Sequence, residues 1–399
     1  MKKILIIGKV WPEAKSSAAG TRMMQLIHFF LRQKCEVVFV CAAKKSGFEE
    51  DLDALNIENH FITLNCDSFN TILREINPTD VLYDRFMTEE QFGWRVRKEL
   101  PNAFEILNTE DLHFLREARK TAVQKNEQID AGNIRNEILY RELAALLRCD
   151  KTLLVSTFEK DLLEKHYQIN SSKLIYYPVL INELIKNTIP FEQRKDFLFI
   201  GNFYHAPNWD ALLYLKNEIW PVLRKKIPGA KLHIYGAYAT EKVTRLQNIK
   251  ENFIVHGRVE DALEVTKNIR VALAPLRFGA GIKGKILEAL TCETPFVTTE
   301  IGAEAMLNEG FDFSVGKNTE DFIEKAVELY LQEKTWCKAK VLGTQLAKEN
   351  YSYTHYENKL SQDLLNGEKS KNEGILADLI AFHSNKHYTY FSKWIANKN

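Results

Sequence analysis

The chain has 399 residues, more than one hydrophobic core usually serves, so two domains are expected. Its 45% hydrophobic content is enough for a core in each half, and a formal net charge of +1 excludes the broad basic field of a dedicated nucleic-acid binder. Any anionic ligand must therefore be held locally. The six cysteines form no Cys-x-x-Cys pair and meet no His cluster at zinc spacing, so they read as reduced thiols of a cytoplasmic protein without a metal site.

In chain order, Ile4 to Ile7 reads as a first strand rather than a signal peptide, because the apolar run stops too soon. A loop from Trp11 to Ala19 and a helix from Gly20 to Gln33 follow, then the strand Glu36 to Cys41. Strand-like runs recur at Phe61 to Leu64, Val81 to Tyr83, Phe104 to Leu107 and Thr152 to Val155, with helical stretches between several of them. Such alternation predicts a parallel sheet covered on both faces. The polar segment Asn182 to Lys195, with Pro190, is the expected linker.

The alternation then restarts. Strands are expected at Phe197 to Ile200, Lys231 to Gly236, Phe253 to Gly257, Val271 to Leu276 and Pro295 to Thr299, and a long helix from Trp209 to Lys226. The expected architecture is α/β, with two doubly wound Rossmann-like domains at 1–185 and 196–365 and a helical tail at 366–399. Within the tail, Gly367 to Gly374 reads as a charged connector and Ile375 to Ile380 as a short helix. Tyr388, Tyr390, Phe391 and Trp394 beside Lys386 and Lys393 fit either a membrane interface or partner, or a helix packed on its own domain. No window reaches the roughly 18 to 20 apolar residues that span a bilayer, so membrane contact is expected to be peripheral at most.

The segment Arg277 to Leu290 places glycines between a strand and a helix. Glycine permits positive φ and close ligand approach, and the first unpaired N–H groups of the helix then face an incoming anion. Lys283 and Lys285 add positive charge, which points to a phosphate-bearing ligand. Gly279-Ala280-Gly281-Ile282-Lys283-Gly284 also satisfies the G-x-G-x-x-G dinucleotide pattern, with Glu300 as its ribose acid, although such a loop normally follows the first strand of its domain. A tight turn with solvated lysines is the simpler alternative.

Ordered motifs across residues 197 to 307 resemble the donor-binding domain of family 4 (group 1) glycosyltransferases of the GT-B fold. They are Phe199-Ile200-Gly201-Asn202, Pro207-Asn208-Trp209-Asp210, Pro228-Gly229-Ala230-Lys231-Leu232, Val255-His256-Gly257-Arg258, the 277–290 loop and Thr294-Pro295-Phe296-Val297. The resemblance implies two domains facing across a cleft, a nucleotide-diphosphate-sugar donor, a hydroxyl acceptor (glycan, lipid-linked or protein), no separate cofactor, and retaining, metal-independent hexosyl transfer. It implies donor contacts at Gly201, Asn202, Gly279, Gly281, Ile282, Lys283, Gly284 and Glu288, with Glu288 on the ribose. A second family glutamate, eight positions before Glu288, is replaced by Ala280, and diphosphate charge falls to Lys283, with Arg277 or Lys285 assisting.

In the first half, the small residues Ser16, Ser17 and Gly20 would form the acceptor-side loop, although the serines serve equally as helix caps. Asn108 to Arg116 follows a strand, so Asp111 and His113 project from the carboxyl edge of the sheet, where α/β proteins bind ligands. Their position resembles that of the cleft histidine and its orienting acid; a capping Asp111 with a merely packed His113 is the structural alternative. The expected catalytic set is His113, Asp111 and Lys283. The expected role is sugar transfer in glycan or cell-surface polysaccharide synthesis, in the cytoplasm or at the inner face of the membrane. A nucleotide-sugar epimerase or hydrolase, or a non-catalytic sugar-nucleotide-binding protein, would use the same cleft.

Overall fold

The computed structural model describes residues 1–185, 189–365, 375–396 and 398. A seven-stranded parallel sheet comes first, formed by β1 (Lys3–Gly8), β2 (Glu36–Cys41), β3 (Glu58–Phe61), β4 (Asp80–Asp84), β5 (Phe104–Asn108), β6 (Lys151–Leu154) and β7 (Leu174–Tyr176). Its order is β3-β2-β1-β4-β5-β6-β7. The helices α1 (Ala18–Arg32), α2 (Ser68–Ile76), α3 (Phe86–Glu99), α4 (His113–Lys125), α5 (Glu137–Arg148) and α6 (Thr157–Lys165) connect these strands. Strand β1 shows why both faces must be covered: Leu5 and Ile7 enter one apolar cluster, Ile4 and Ile6 the other, and all four are fully buried.

The second sheet has six parallel strands, β8 (Lys195–Ile200), β9 (Leu232–Tyr235), β10 (Phe253–Gly257), β11 (Ile269–Ala274), β12 (Phe296–Thr299) and β13 (Val315–Gly316), ordered β10-β9-β8-β11-β12-β13. Its helices are α7 (Ala206–Tyr214), α8 (Trp220–Lys226), α9 (Glu241–Thr244), α10 (Ala262–Thr266), α11 (Gly284–Thr291), α12 (Glu300–Ala303), α13 (Thr319–Leu331) and α14 (Glu333–Asn350). A π-helical turn, Leu215–Ile219, joins α7 to α8, so the expected long helix is one helical run with an interruption. Pro221 accounts for it, because proline has no N–H for the regular ladder and its ring crowds the preceding turn.

Four elements differ from the sequence expectation. Strand β3 lies at Glu58–Phe61 instead of 61 to 64 because an edge strand needs only backbone pairing with β2, and the buried apolar side chains Ile57 and Ile62 lie just outside it. The short edge strands β7 and β13 carry too few residues for a periodic signal. The last helix, α16 (Ile375–Ala396), runs far beyond Ile380. The expected connector Gly367 to Gly374 lies outside the described residues.

The chain crosses between the halves twice, and the crossings touch: Ile181 bridges to Ser352, and its N–H donates to the Tyr351 carbonyl at 2.9 Å. After the return, α15 (Tyr353–Leu365) packs on the first sheet, with Leu360 and Leu364 beside Ile4 and Ile6. Residues 353 to 365, expected with the second domain, therefore contribute to the core of the first. Leu364→Ala should cost about 3 kcal/mol in urea unfolding, because it leaves a cavity against the first sheet.

Candidate active site

Each sheet reverses its strand order beside its first strand, between β1 and β4 and between β8 and β11, which opens a crevice at the carboxyl ends of the strands. Loops after β1, β4 and β5 face loops after β8, β9 and β11 across a shared cleft with a cavity of about 1250 Å³. The donor-side residues expected from sequence line this cleft, as do Ser16, Ser17, Gly20, Asp111 and His113, with the exceptions of Gly281 and Arg277.

On the donor side, Lys283 is the N-cap of α11 and makes no side-chain cap, so the first-turn amides of Gly284 and Lys285 begin the helix at the cleft wall without a capping oxygen. Lys283 is 6% exposed and its Nζ donates to the Gly281 carbonyl at 2.6 Å, which fixes the position of its charge. Burial lowers its pKa to about 8. Lys285 reaches Asn208 Oδ1 at 2.5 Å, and burial lowers it to about 8 as well. Glu288, one turn further on, keeps a buried Oε2 without a partner, and desolvation raises its pKa. An acceptor left unsatisfied beside a cavity is costly unless a ligand donates to it.

Other donor-side expectations require correction. Arg277 is committed to Asp210 and stacks on Tyr214 outside the cleft, so it is not placed to meet a diphosphate. The Gly281 amide is also engaged, donating to Glu159 Oε1 at 2.8 Å. Gly281 has φ +64°, and a Cβ there would lie 2.8 Å from the Asp111 Cβ, so glycine is required by the domain junction. Asn202 reaches toward the Ser16 carbonyl at 3.5 Å, and Gly201 packs against the Asn208 side chain. The dinucleotide reading loses its ribose acid, since Glu300 opens α12 and does not line the cleft.

On the acceptor side, Ser17 is a helix cap, accepting from the Gly20 N–H at 3.0 Å, whereas the buried Ser16 Oγ has no partner. Gly20 serves packing: a Cβ there would lie 2.1 Å from the Glu13 carbonyl oxygen. Asp111 is not a helix cap, because the first amides of α4 at His113 and Phe114 donate to the buried Glu142 at 3.2 and 3.0 Å. Asp111 instead pairs with Arg116, and its Oδ1 lies 3.6 Å from His113 Nδ1. Burial opposes its charge, but Arg116 and His113 overcome that and hold the carboxyl well below the usual range. His113 Nδ1 lies 3.1 Å from the Asp111 carbonyl, which can only accept, so Nδ1 carries the proton and Nε2 is the basic nitrogen.

Sequence reading missed Glu110 and Glu159. Glu110 borders the cleft with its Oε1 accepting from Asn108 at 2.7 Å, and desolvation raises its pKa to about 7. Glu159 stands three residues after Ser156, the spacing of a capping box. Its Oε1 instead accepts from Leu112 N at 2.9 Å and Gly281 N at 2.8 Å, tying the loop before α4 to the loop before α11. The Ser-x-x-Glu pattern was the only available signal, and it indicates a local cap. Among the described residues no group of three or more His, Cys, Asp or Glu could hold a metal ion.

Glu159→Ala strands two buried amides and should lower stability by about 2 kcal/mol, while Glu159→Gln, which keeps an accepting oxygen, should recover most of it in the same denaturant titration. Gly281→Ala should be at least as damaging, since it adds strain at positive φ to a clash with Asp111.

Residues 194–332 match the family model described as glycosyl transferases group 1. A Klebsiella pneumoniae protein, described as an uncharacterized 44.6 kDa protein in the cps region, is 26% identical over 189 residues, which are 44% of this chain and 48% of that protein. The chain thus spans about half the length of this curated relative. Among solved structures, sucrose-phosphate synthase from Thermosynechococcus elongatus is similar with a TM-score of 0.67 at 12% identity, covering 91% of this chain and 98% of that one. The pneumococcal O-GlcNAc transferase GtfA, in complex with UDP and GlcNAc, gives 0.68 at 11%, covering 92% and 99%. HepE of Anabaena, in complex with UDP and glucose, gives 0.67 at 10%, covering 92% and 100%. The chain has the GT-B fold, and its second domain, over residues 194–332, is similar to the group 1 glycosyl transferases.

Proposed function

We propose that this protein moves a sugar from a nucleotide-diphosphate-sugar to a hydroxyl acceptor held across the cleft. The observation that carries this reading is the α11 entrance, where an uncapped helix start and two lysines lie one turn from a carboxylate with an unpartnered oxygen. Breaking the bond between sugar and diphosphate develops negative charge on the leaving group. The Gly284 and Lys285 amides, with Lys283 and Lys285, are arranged to stabilise it. Glu288 accepts from the ribose hydroxyls. Structures of HepE and GtfA that contain UDP and a sugar support a uridine diphosphate donor.

On the opposite wall, His113 binds the transferred sugar or the acceptor through Nε2, and Asp111 orients the ring instead of exchanging protons. Glu110, with a pKa near neutrality, is the better placed carboxyl to take a proton from an acceptor hydroxyl. Retention of anomeric configuration and independence from metal are part of this proposal. The relative from a cps region supports a place in polysaccharide assembly, and a location at the cytoplasmic side of the membrane is part of this proposal.

UDP at about one hundred times its Kd should stabilise the protein by about 2.7 kcal/mol in thermal unfolding, and Glu288→Ala should weaken binding at least tenfold by about 1.5 kcal/mol or more. Equal response to NAD, with none to any nucleoside diphosphate, would overturn the reading; donor consumption without acceptor would favour an epimerase or hydrolase, and binding without turnover a sugar-nucleotide-binding protein. Because Lys283 and Lys285 lose their charge above about pH 8, affinity for UDP should fall as pH rises from 7 to 9. Lys283→Gln should flatten that profile in calorimetric titrations.

A further inference from the structure

Helix α16 is two-faced in a way that the sugar-transfer reading does not use. It packs on α3 and α5, where Tyr388 donates to Glu90 Oε1 at 2.6 Å and lies under the Arg148 guanidinium. One turn on, Ser392 is 4% exposed and accepts from Arg95. The 3.6-residue period puts Leu379, His383, Lys386, Tyr390 and Trp394 along one line on the opposite side, flanked by Phe382 and Phe391. Phe382, Tyr390, Phe391 and Trp394 are 53%, 68%, 52% and 54% exposed. A row of large apolar side chains on one exposed helix face is an interaction surface, unlike single exposed residues scattered over a monomer.

Charge selects the occupant. From Leu379 to Asn399 the sequence has no Asp or Glu but carries Lys386, Lys393 and Lys398. Lys386 Nζ lies 4.2 Å from the Phe382 ring centroid, and Lys398 Nζ 3.7 Å from that of Trp394. The nearby acid, Asp67, is bonded to Arg95 at 2.7 Å. Aromatic rings interleaved with an excess of cations over acids suit the boundary between lipid headgroups and acyl chains: rings enter the apolar layer while ammonium groups stay among anionic headgroups. No described helix is long and apolar enough to cross a membrane.

We propose that α16 docks the protein on an anionic lipid surface, lying in the plane of the interface with Leu379, Phe382, Tyr390 and Trp394 inserted and Lys386 and Lys393 on the headgroups. The surface belongs to the first domain and is independent of the donor site.

The full chain should sediment with vesicles of phosphatidylcholine mixed with phosphatidylglycerol, and far less with phosphatidylcholine alone. Raised salt should release it. Replacing one lysine, in Lys386→Glu or Lys393→Glu, should weaken partitioning at least fivefold, on the order of the effect of one cation at an anionic surface. Trp394→Ala should weaken it at any salt. All three substitutions are on the exposed face, so thermal unfolding should be unchanged. Equal recovery on both vesicle types, no recovery on either, or unchanged binding by the lysine variants would overturn the proposal. A stable dimer in light scattering that Trp394→Ala dissolves would assign the face to a second copy of this chain instead.

Discussion

The architecture depends most closely on the junction at which the two sheets meet. A single buried oxygen of Glu159 accepts from the loop before α4 and from the loop before α11, and Arg119 forms a bidentate pair with Glu304 while donating to the Gly279 carbonyl at 2.8 Å. Such contacts form only when both domains are in place, and every buried backbone group they satisfy would otherwise be an unpaired cost. The two walls of the cleft are thus held by shared hydrogen bonds, so the position of His113 and the entrance of α11 are set together.

This junction explains the chemistry that its surroundings support. Burial alone would leave Asp111 neutral, but Arg116 and His113 keep it charged, whereas the Glu159 carboxyl, poor in such partners, is pushed up to about 8. Neighbouring carboxyls therefore differ in charge because of their partners, not their residue type. The family pattern expects an acid at position 280, where this chain has an alanine packed in the first domain's core. Glu159 brings a carboxyl group to the adjacent amide from the other domain, so the junction retains an acidic side chain although the motif does not.

Much of the fold was legible because a parallel sheet buried on both faces demands continuous apolar runs, and those runs stand out at Ile4 to Ile7, Val37 to Val40 and Phe197 to Ile200. Edge strands were displaced or missed since pairing on one side makes little demand on side chains. That the glycine loop and Glu288 line the cleft was readable from spacing, because a turn from a strand end into a helix start is marked by its glycines. The commitment of Arg277 to Asp210 was not readable: its partner lies 67 residues earlier on α7.

The sequence by itself determined two α/β units, the place of the glycine loop and helix start at the cleft and the resemblance of the second domain to a known family, since each is written in local periodicity and short-range order. Only the tertiary structure decided which groups remain available there. It spent the Gly281 amide on Glu159, fixed Lys283 in place, left the Glu288 oxygen unpaired, returned α15 to the first core and turned the aromatic face of α16 outward. Those outcomes depend on contacts between residues far apart in the chain, and competition for hydrogen-bond partners among them has no signature in local sequence.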